Sequence, residues 1–91
     1  MAKAILVSPK DNVAVAVEAA KKGEDLVVEG QGEPIVLTAL TDVPIYHKFA
    51  LIDFKKDDSV LKYGEEIGLA TEDIPKGSHV HVHNVNSRSL L

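Results

Sequence analysis

The sequence predicts a small, mostly-β domain of short twisted strands with at most short helices. Three observations carry that prediction. The chain has 91 residues, the length of one domain. Its Val-, Ile- and Leu-rich runs are short, and each ends in a cluster containing Gly, Pro, Asp or Asn. The stretch Gly77-Ser78-His79-Val80-His81-Val82-His83-Asn84 alternates valine with histidine at the period of a strand.

In chain order, Ala4–Val7 reads as a buried strand closed by Pro9. Asp11-Asn12 is a turn pair, because short polar side chains bond their own backbone. Residues 12–17 place Val13, Val15 and Val17 on one face. Alanine-rich Ala14–Lys22 would also suit a helix, but three β-branched residues at period two fit a pleat better. Lys21 to Asp25 form a turn, residues 26–29 a strand, Gly30 to Pro34 a turn, and residues 35–40 a strand ended by Thr41-Asp42-Val43-Pro44. Ile45-Tyr46-His47-Lys48 is a loop, and residues 49–54 are again strand-like.

Residues 50–60 and 70–80 then align as a partial repeat. Its pattern is Ala, two residues, Asp, an apolar residue, a Lys-bearing turn, and Val entering a strand; Ala20 to Leu26 is a weaker copy. Between the two copies, Gly64 and Gly68 are placed to supply positive φ or close backbone approach, and Tyr63 reads as core. In Gly77–Asn84 the valine face is expected in the core, leaving His79, His81 and His83 on a surface, a cleft or a subunit interface. One domain covers residues 1–91, with a core over 4–84 and a loosely ordered or partner-docked tail over 85–91.

Composition narrows the function classes. A net charge of −4 without a basic run argues against coating nucleic-acid phosphates. With no cysteine, disulfides, zinc–thiolate sites and iron–sulfur ligation are excluded. The apolar run after Met1 is too short for a signal peptide or a membrane span, so a soluble, unexported cytoplasmic protein is expected. A chain this small has a thin core and little room for a deep site of its own. Its strand edges are compatible with a homo-oligomer in isolation.

The histidines are the main chemical signal. Residues i and i+2 of a strand lie roughly 6.7 Å apart on one face, so two imidazoles can converge on one ion and three hardly can. At most two ligands are expected from this strand. The alternative is a solvated edge-strand face. His47 and Lys48 form a second basic pair, able to grip a carboxylate or move a proton, or simply an exposed loop end.

Four motifs in order carry a family resemblance: Asp11-Asn12-Val13-Ala14-Val15-Ala16; His47-Lys48-Phe49-Ala50-Leu51 with Asp53; Lys62-Tyr63-Gly64 with Ile67-Gly68 and Ala70-Thr71; and Gly77 with Val80-His81-Val82-His83-Asn84. From Asp11 to Asn84 the chain resembles the SAF-type domain of altronate and galactarate dehydratases, which also occurs as the small subunit of two-chain members such as sulfolactate sulfo-lyase. The resemblance implies a β-clip fold and a lyase that removes water, or sulfite, from a sugar acid or related 2-hydroxy acid. It implies a divalent metal, iron (Fe2+) or manganese, shared with a large catalytic subunit that this chain would need as partner. His47, His81 and His83 are the implied metal ligands. Asn12, Lys48 and Asn84 are the implied substrate contacts, with His47 and Lys48 the catalytic candidates and the base expected on the large subunit. His79 would be structural. Tyr46 departs from the family pattern, in which a small residue precedes the His-Lys pair, and is expected to narrow that loop. The same kind of domain also serves as a non-catalytic binding or assembly module, which is the alternative function.

Overall fold

Four of the polar turns share one backbone geometry, and that repetition builds the domain. The computed structural model describes residues 1–87. The turns begin at Ala20, Val43, Phe54 and Ile74. Three residues later, at Gly23, Tyr46, Asp57 and Gly77, φ is positive, at 89°, 67°, 75° and 90°. The N–H of that residue donates to the carbonyl of a buried alanine: Ala39, Ala16, Ala70 and Ala50 respectively, at 2.6–2.8 Å. The first residues pair off through reciprocal backbone bonds, Ala20 with Val43 and Phe54 with Ile74. The partial repeat seen in the sequence is thus a four-copy motif arranged in two pairs. The copy at Val43 is masked in sequence because Tyr46 occupies its positive-φ position. The aspartates recur for a reason. Asp42, Asp53 and Asp73 accept the N–H of Lys22, Lys76 and Lys56 on the paired turn, satisfying donors that no strand ladder reaches.

Among the described residues nine strands connect these turns: β1 Ala2–Ile5, β2 Val13–Ala16, β3 Asp25–Glu29, β4 Ile35–Thr38, β5 Lys48–Ala50, β6 Ser59–Lys62, β7 Glu65–Ala70, β8 His79–Val80 and β9 Val85–Ser87. Six form one curled sheet in the order β4-β3-β1-β2-β5-β8, and three form a second, β6-β7-β9. Among the described residues only β1 and β3 pair in parallel. Among the described residues there is no helix, as the sequence predicts for a mostly-β domain.

The core has two clusters. One gathers alanines and valines of the larger sheet around Phe49, and the other packs Val13, Val60, Ile74 and Val80 around Phe54. The two phenylalanines of the chain are thus one per cluster, both buried, each worth about 1.5–3 kcal/mol by removal from water.

β2 is a strand as expected, but its buried face is not the valine face. Val13, Ala14 and Ala16 are buried, while Val15 and Val17 are half-exposed. The Ala16 carbonyl lies 2.6 Å from the Tyr46 nitrogen, a closeness that favours a small side chain there. Residues 49–54 do not continue as one strand. β5 ends at Ala50, and Phe54 begins the next turn. Tyr63 is not core but exposed: Tyr63 and Gly64, with φ of 57° and 76°, form the two-residue turn joining β6 to β7. Gly68 has ordinary φ, yet a Cβ there would collide with the Asn86 carbonyl on β9. That β9 exists corrects the expectation of a loose tail over Val85–Ser87, where Val85 is half-buried against the second cluster. Residues 88–91 lie outside the described residues.

Candidate functional site

The histidine-bearing strand stops early, and the early stop makes the site. β8 covers only His79–Val80, because Asn84 folds the following residues into a turn. Its amide oxygen accepts the His81 N–H at 2.9 Å, and its amide nitrogen donates to the His79 carbonyl at 2.9 Å. Val80 therefore goes to the core while Val82, expected beside it, is 80% exposed. The turn also ends the strict alternation of His79, His81 and His83, so His81 can bend back beside His79.

His47 ends the turn that begins at Val43 and leads into β5, which pairs with β8 in the register Phe49 opposite His79 and Lys48 opposite Val80. That register stacks the rings. The His47 Nδ1 lies 2.8 Å from the His79 Nε2, so one of these nitrogens carries the proton and the other accepts it. Ring centroids are 5.0 Å apart for His47 and His79, and 4.3 Å for His47 and His81. His79 is further held by its N–H, which donates to the Thr41 hydroxyl at 2.9 Å.

His47, His79 and His81 each bring one ring nitrogen within 4.8 Å of the others. The His83 ring lies tilted against His79, with centroids 5.1 Å apart, but does not join this group of three. Of the three residues named as metal ligands from the sequence, His47 and His81 lie in this group and His83 does not; His79, read there as structural, takes its place. Burial depresses the His79 pKa to about 4, helped by the nearby charges of His83, His47, His81 and Lys48. His81 is lowered for similar reasons, desolvation first and then His47, Lys48 and His83. His79 and His81 are therefore favoured as neutral imidazoles, the form that ligates metal.

Lys48 is half-buried on β5, and burial, then repulsion from Lys62, lowers its pKa against the opposing influence of Tyr63. Lys48 and His81 share a cleft with Lys62 and Tyr63. The two asparagines have other partners. The Asn12 side chain accepts from the Leu61 N–H at 2.8 Å and donates to the Ser59 carbonyl at 2.9 Å, bridging the register shift at Val60/Leu61 between β6 and β7. Asn84 is buried and spans the β8 turn as described. Sequence reasoning passed over Lys62 and Tyr63, although both lie in one of the motifs it singled out. It also passed over the buried Asp11, whose carboxylate accepts the N–H groups of Ser8, Tyr63 and Gly64 at 3.2, 3.0 and 2.8 Å.

The chain is similar to known proteins over nearly its whole length. A family model described as the altronate/galactarate dehydratase SAF domain matches residues 2–88. The altronate dehydratase of Escherichia coli is 44% identical over 77 residues, covering 85% of this chain and 15% of that protein. The galactarate dehydratase (L-threo-forming) of the same organism is 34% identical over 76 residues, with 84% and 14% covered. The (2R)-sulfolactate sulfo-lyase subunit alpha of Paracoccus pantotrophus is 44% identical over 62 residues, covering 68% of this chain and 92% of that subunit. The chain thus spans about one-sixth of the length of the dehydratases it matches and most of the sulfo-lyase subunit. Its four motifs, its mostly-β fold and the family match over nearly its whole length agree: the chain belongs to the altronate/galactarate dehydratase SAF-domain family.

Proposed function

We propose that this chain is the small, site-forming subunit of a metal-dependent lyase that removes water, or sulfite, from a sugar acid or related 2-hydroxy acid. The observation that carries the reading is the convergence of three imidazoles, His79 and His81 among them favoured as neutral rings, beside the half-buried Lys48. The close coverage of a sulfo-lyase alpha subunit supports the subunit role. So does the surface around the cluster, where Tyr46, Tyr63 and Val82 are large apolar side chains left exposed next to site residues. A large catalytic subunit covering them would complete the cleft.

The donor set fits a divalent metal such as iron; manganese, which prefers oxygen donors, would draw these from substrate and partner. The group contains nitrogen donors only, with no carboxylate, and leaves positions for substrate and for ligands from the partner. His47, His79 and His81 would hold the ion, with His83 supporting His79 from the side. When bound, the metal supplies positive charge that stabilises the enediolate formed from the acid.

The chemistry breaks the C–H bond beside the carboxylate. Its electron pair forms the enediolate, the neighbouring hydroxyl or sulfonate leaves, and the enol returns to a 2-keto product. Lys48 would bind the acid's carboxylate. Asn12 and Asn84 contribute by holding the walls of the site, since their amides are bonded to backbone. His47, whose ring nitrogen faces that of His79 in the ion-free chain, would act as a ligand rather than as a proton carrier once the ion is held. The base that attacks the C–H bond is assigned to the large subunit. The enzyme would work in the cytoplasm, where sugar acids are metabolised.

The test is recovery of the assembled enzyme. Tagged chain should co-purify with a dehydratase-like large subunit. The complex should release water from altronate or galactarate, or sulfite from sulfolactate, and lose that activity on chelation. His81→Ala should abolish turnover without unfolding the chain. Recovery of the chain with assembly or envelope proteins, or unchanged turnover in His81→Ala, would replace this reading with a non-catalytic binding module.

A further inference from the structure

Two depressions flank the imidazole cluster, and their charges differ. The open groove on the His79 and His83 side, about 600 Å³, carries one lysine, Lys22, against three carboxylates, Asp42, Glu72 and Asp73. The cleft on the His81 side, about 310 Å³, carries Lys48 and Lys62 and no carboxylate. An acid is repelled by the first and attracted by the second.

The pair is built by the fold. Lys48 comes from the six-stranded sheet and Lys62 from the end of β6 in the other sheet. Both line the same cleft, so their two ammonium groups face one space. Among the described residues neither lysine has an ion-pair partner. Lys62 is also held in place: its Nζ lies 3.6 Å from the centroid of the Tyr63 ring, a cation–π contact. The Tyr63 backbone is in turn fixed in its positive-φ turn by the buried Asp11 carboxylate. Two like charges facing a part-enclosed cleft with apolar walls, Ile67, Val82 and Val85, are costly unless an anion enters. The volume is at the small end for ligand sites, which suits an acid of a few carbons.

We propose that the cleft between Lys48 and Lys62 is the seat of the substrate's carboxylate, with Lys62 and Tyr63 as binding residues in addition to Lys48. The proposal rests on the function inferred above and deepens it. One oxygen of the carboxylate faces each ammonium, in charge-assisted hydrogen bonds. The acid's hydroxyl-bearing carbons then extend past His81 toward the imidazoles.

The test uses the full chain in metal-free buffer, with tartrate, a small 2-hydroxy diacid, as probe. Two-dimensional NMR should show saturable shifts at the amides of Lys48, Lys62, Tyr63 and Gly64. Uncharged erythritol should give none. Lys62→Gln should weaken tartrate about tenfold, the loss expected for one charge-assisted hydrogen bond. Lys62→Arg, which keeps the charge, should retain binding, separating charge from folding. Equal affinity in Lys62→Gln, or no saturable shift in the wild type, overturns the proposal. The same samples titrated with Mn2+ keep the two readings apart. Manganese bound at the imidazoles without tartrate bound at the lysines sinks the carboxylate seat alone. Tartrate bound without manganese supports the seat and sinks the metal site.

Discussion

Replacing Asn84 by alanine removes two hydrogen bonds that hold the β8 turn, and the consequence can be worked from the geometry. The His81 N–H loses its acceptor and the His79 carbonyl loses a donor, both at 2.9 Å, in a residue only 5% exposed. Each bond is worth about 1 kcal/mol net, and leaving part-buried backbone groups unpaired adds roughly another 1 kcal/mol. The expected loss is about 2–4 kcal/mol. For a domain of this size each kcal/mol moves Tm by about 4–8 °C, so the melting temperature should fall by roughly 8–32 °C. Asn84→Asp keeps an acceptor for His81 but faces the His79 carbonyl with a carboxylate oxygen, so it should recover part of the loss at most. Thermal melts followed by circular dichroism in chelator-treated buffer read both variants. The reasoning also requires Mn2+ to bind Asn84→Ala more weakly at temperatures where that variant stays folded, because His81 is no longer aimed at His47 and His79. A Tm within about 2 °C of wild type would refute it. The buried amide would then be dispensable for the turn, and a direct role toward substrate would regain its place.

Three other substitutions probe the frame around the site. Gly68→Ala would drive a methyl group into the Asn86 carbonyl and part β7 from β9; a loss of about 2 kcal/mol or more in urea unfolding is expected, and a neutral result would mean that β9 yields freely. Tyr46→Gly relieves an L-residue held at φ 67° with its side chain 72% exposed. It should stabilise the isolated chain by about 1 kcal/mol, seen as a higher urea midpoint, and any loss of stability would show that the ring is packed after all. Asp11→Ala strips the acceptor from three backbone donors. It should cost about 3 kcal/mol and speed hydrogen exchange at Tyr63 and Gly64 selectively, whereas uniform exchange across the chain would contradict a local clamp.

Local chemistry explains which features were legible in advance. Gly64, Gly23 and Gly77 mark positive-φ turns because only backbone sterics are involved. The repeated Asp-apolar-Lys pattern announced a recurring turn because the aspartate has a local task, accepting an otherwise orphaned N–H. β2 was legible as a strand from its valines, yet not by its buried face, because the close approach of Tyr46 to Ala16 is a long-range contact. Val82 was misplaced for the opposite reason. The alternation of His79 to His83 is a strong local signal, and it was overruled by one side chain, Asn84, that the pattern itself does not reveal.

By itself, the sequence determined a small mostly-β domain, its turns, its family, and the histidines and the one lysine, Lys48, singled out as able to carry chemistry. Those properties follow from residue type and near-neighbour spacing. Only the tertiary structure decided that His79 joins His47 and His81 while His83 stands aside, and that Lys62 of one sheet faces Lys48 of the other. The physical reason is distance along the chain. His47 and His79 are 32 residues apart and meet through the pairing of β5 with β8. Lys48 and Lys62 meet because two separate sheets curl around a shared cleft. No local propensity encodes either meeting; packing and register do.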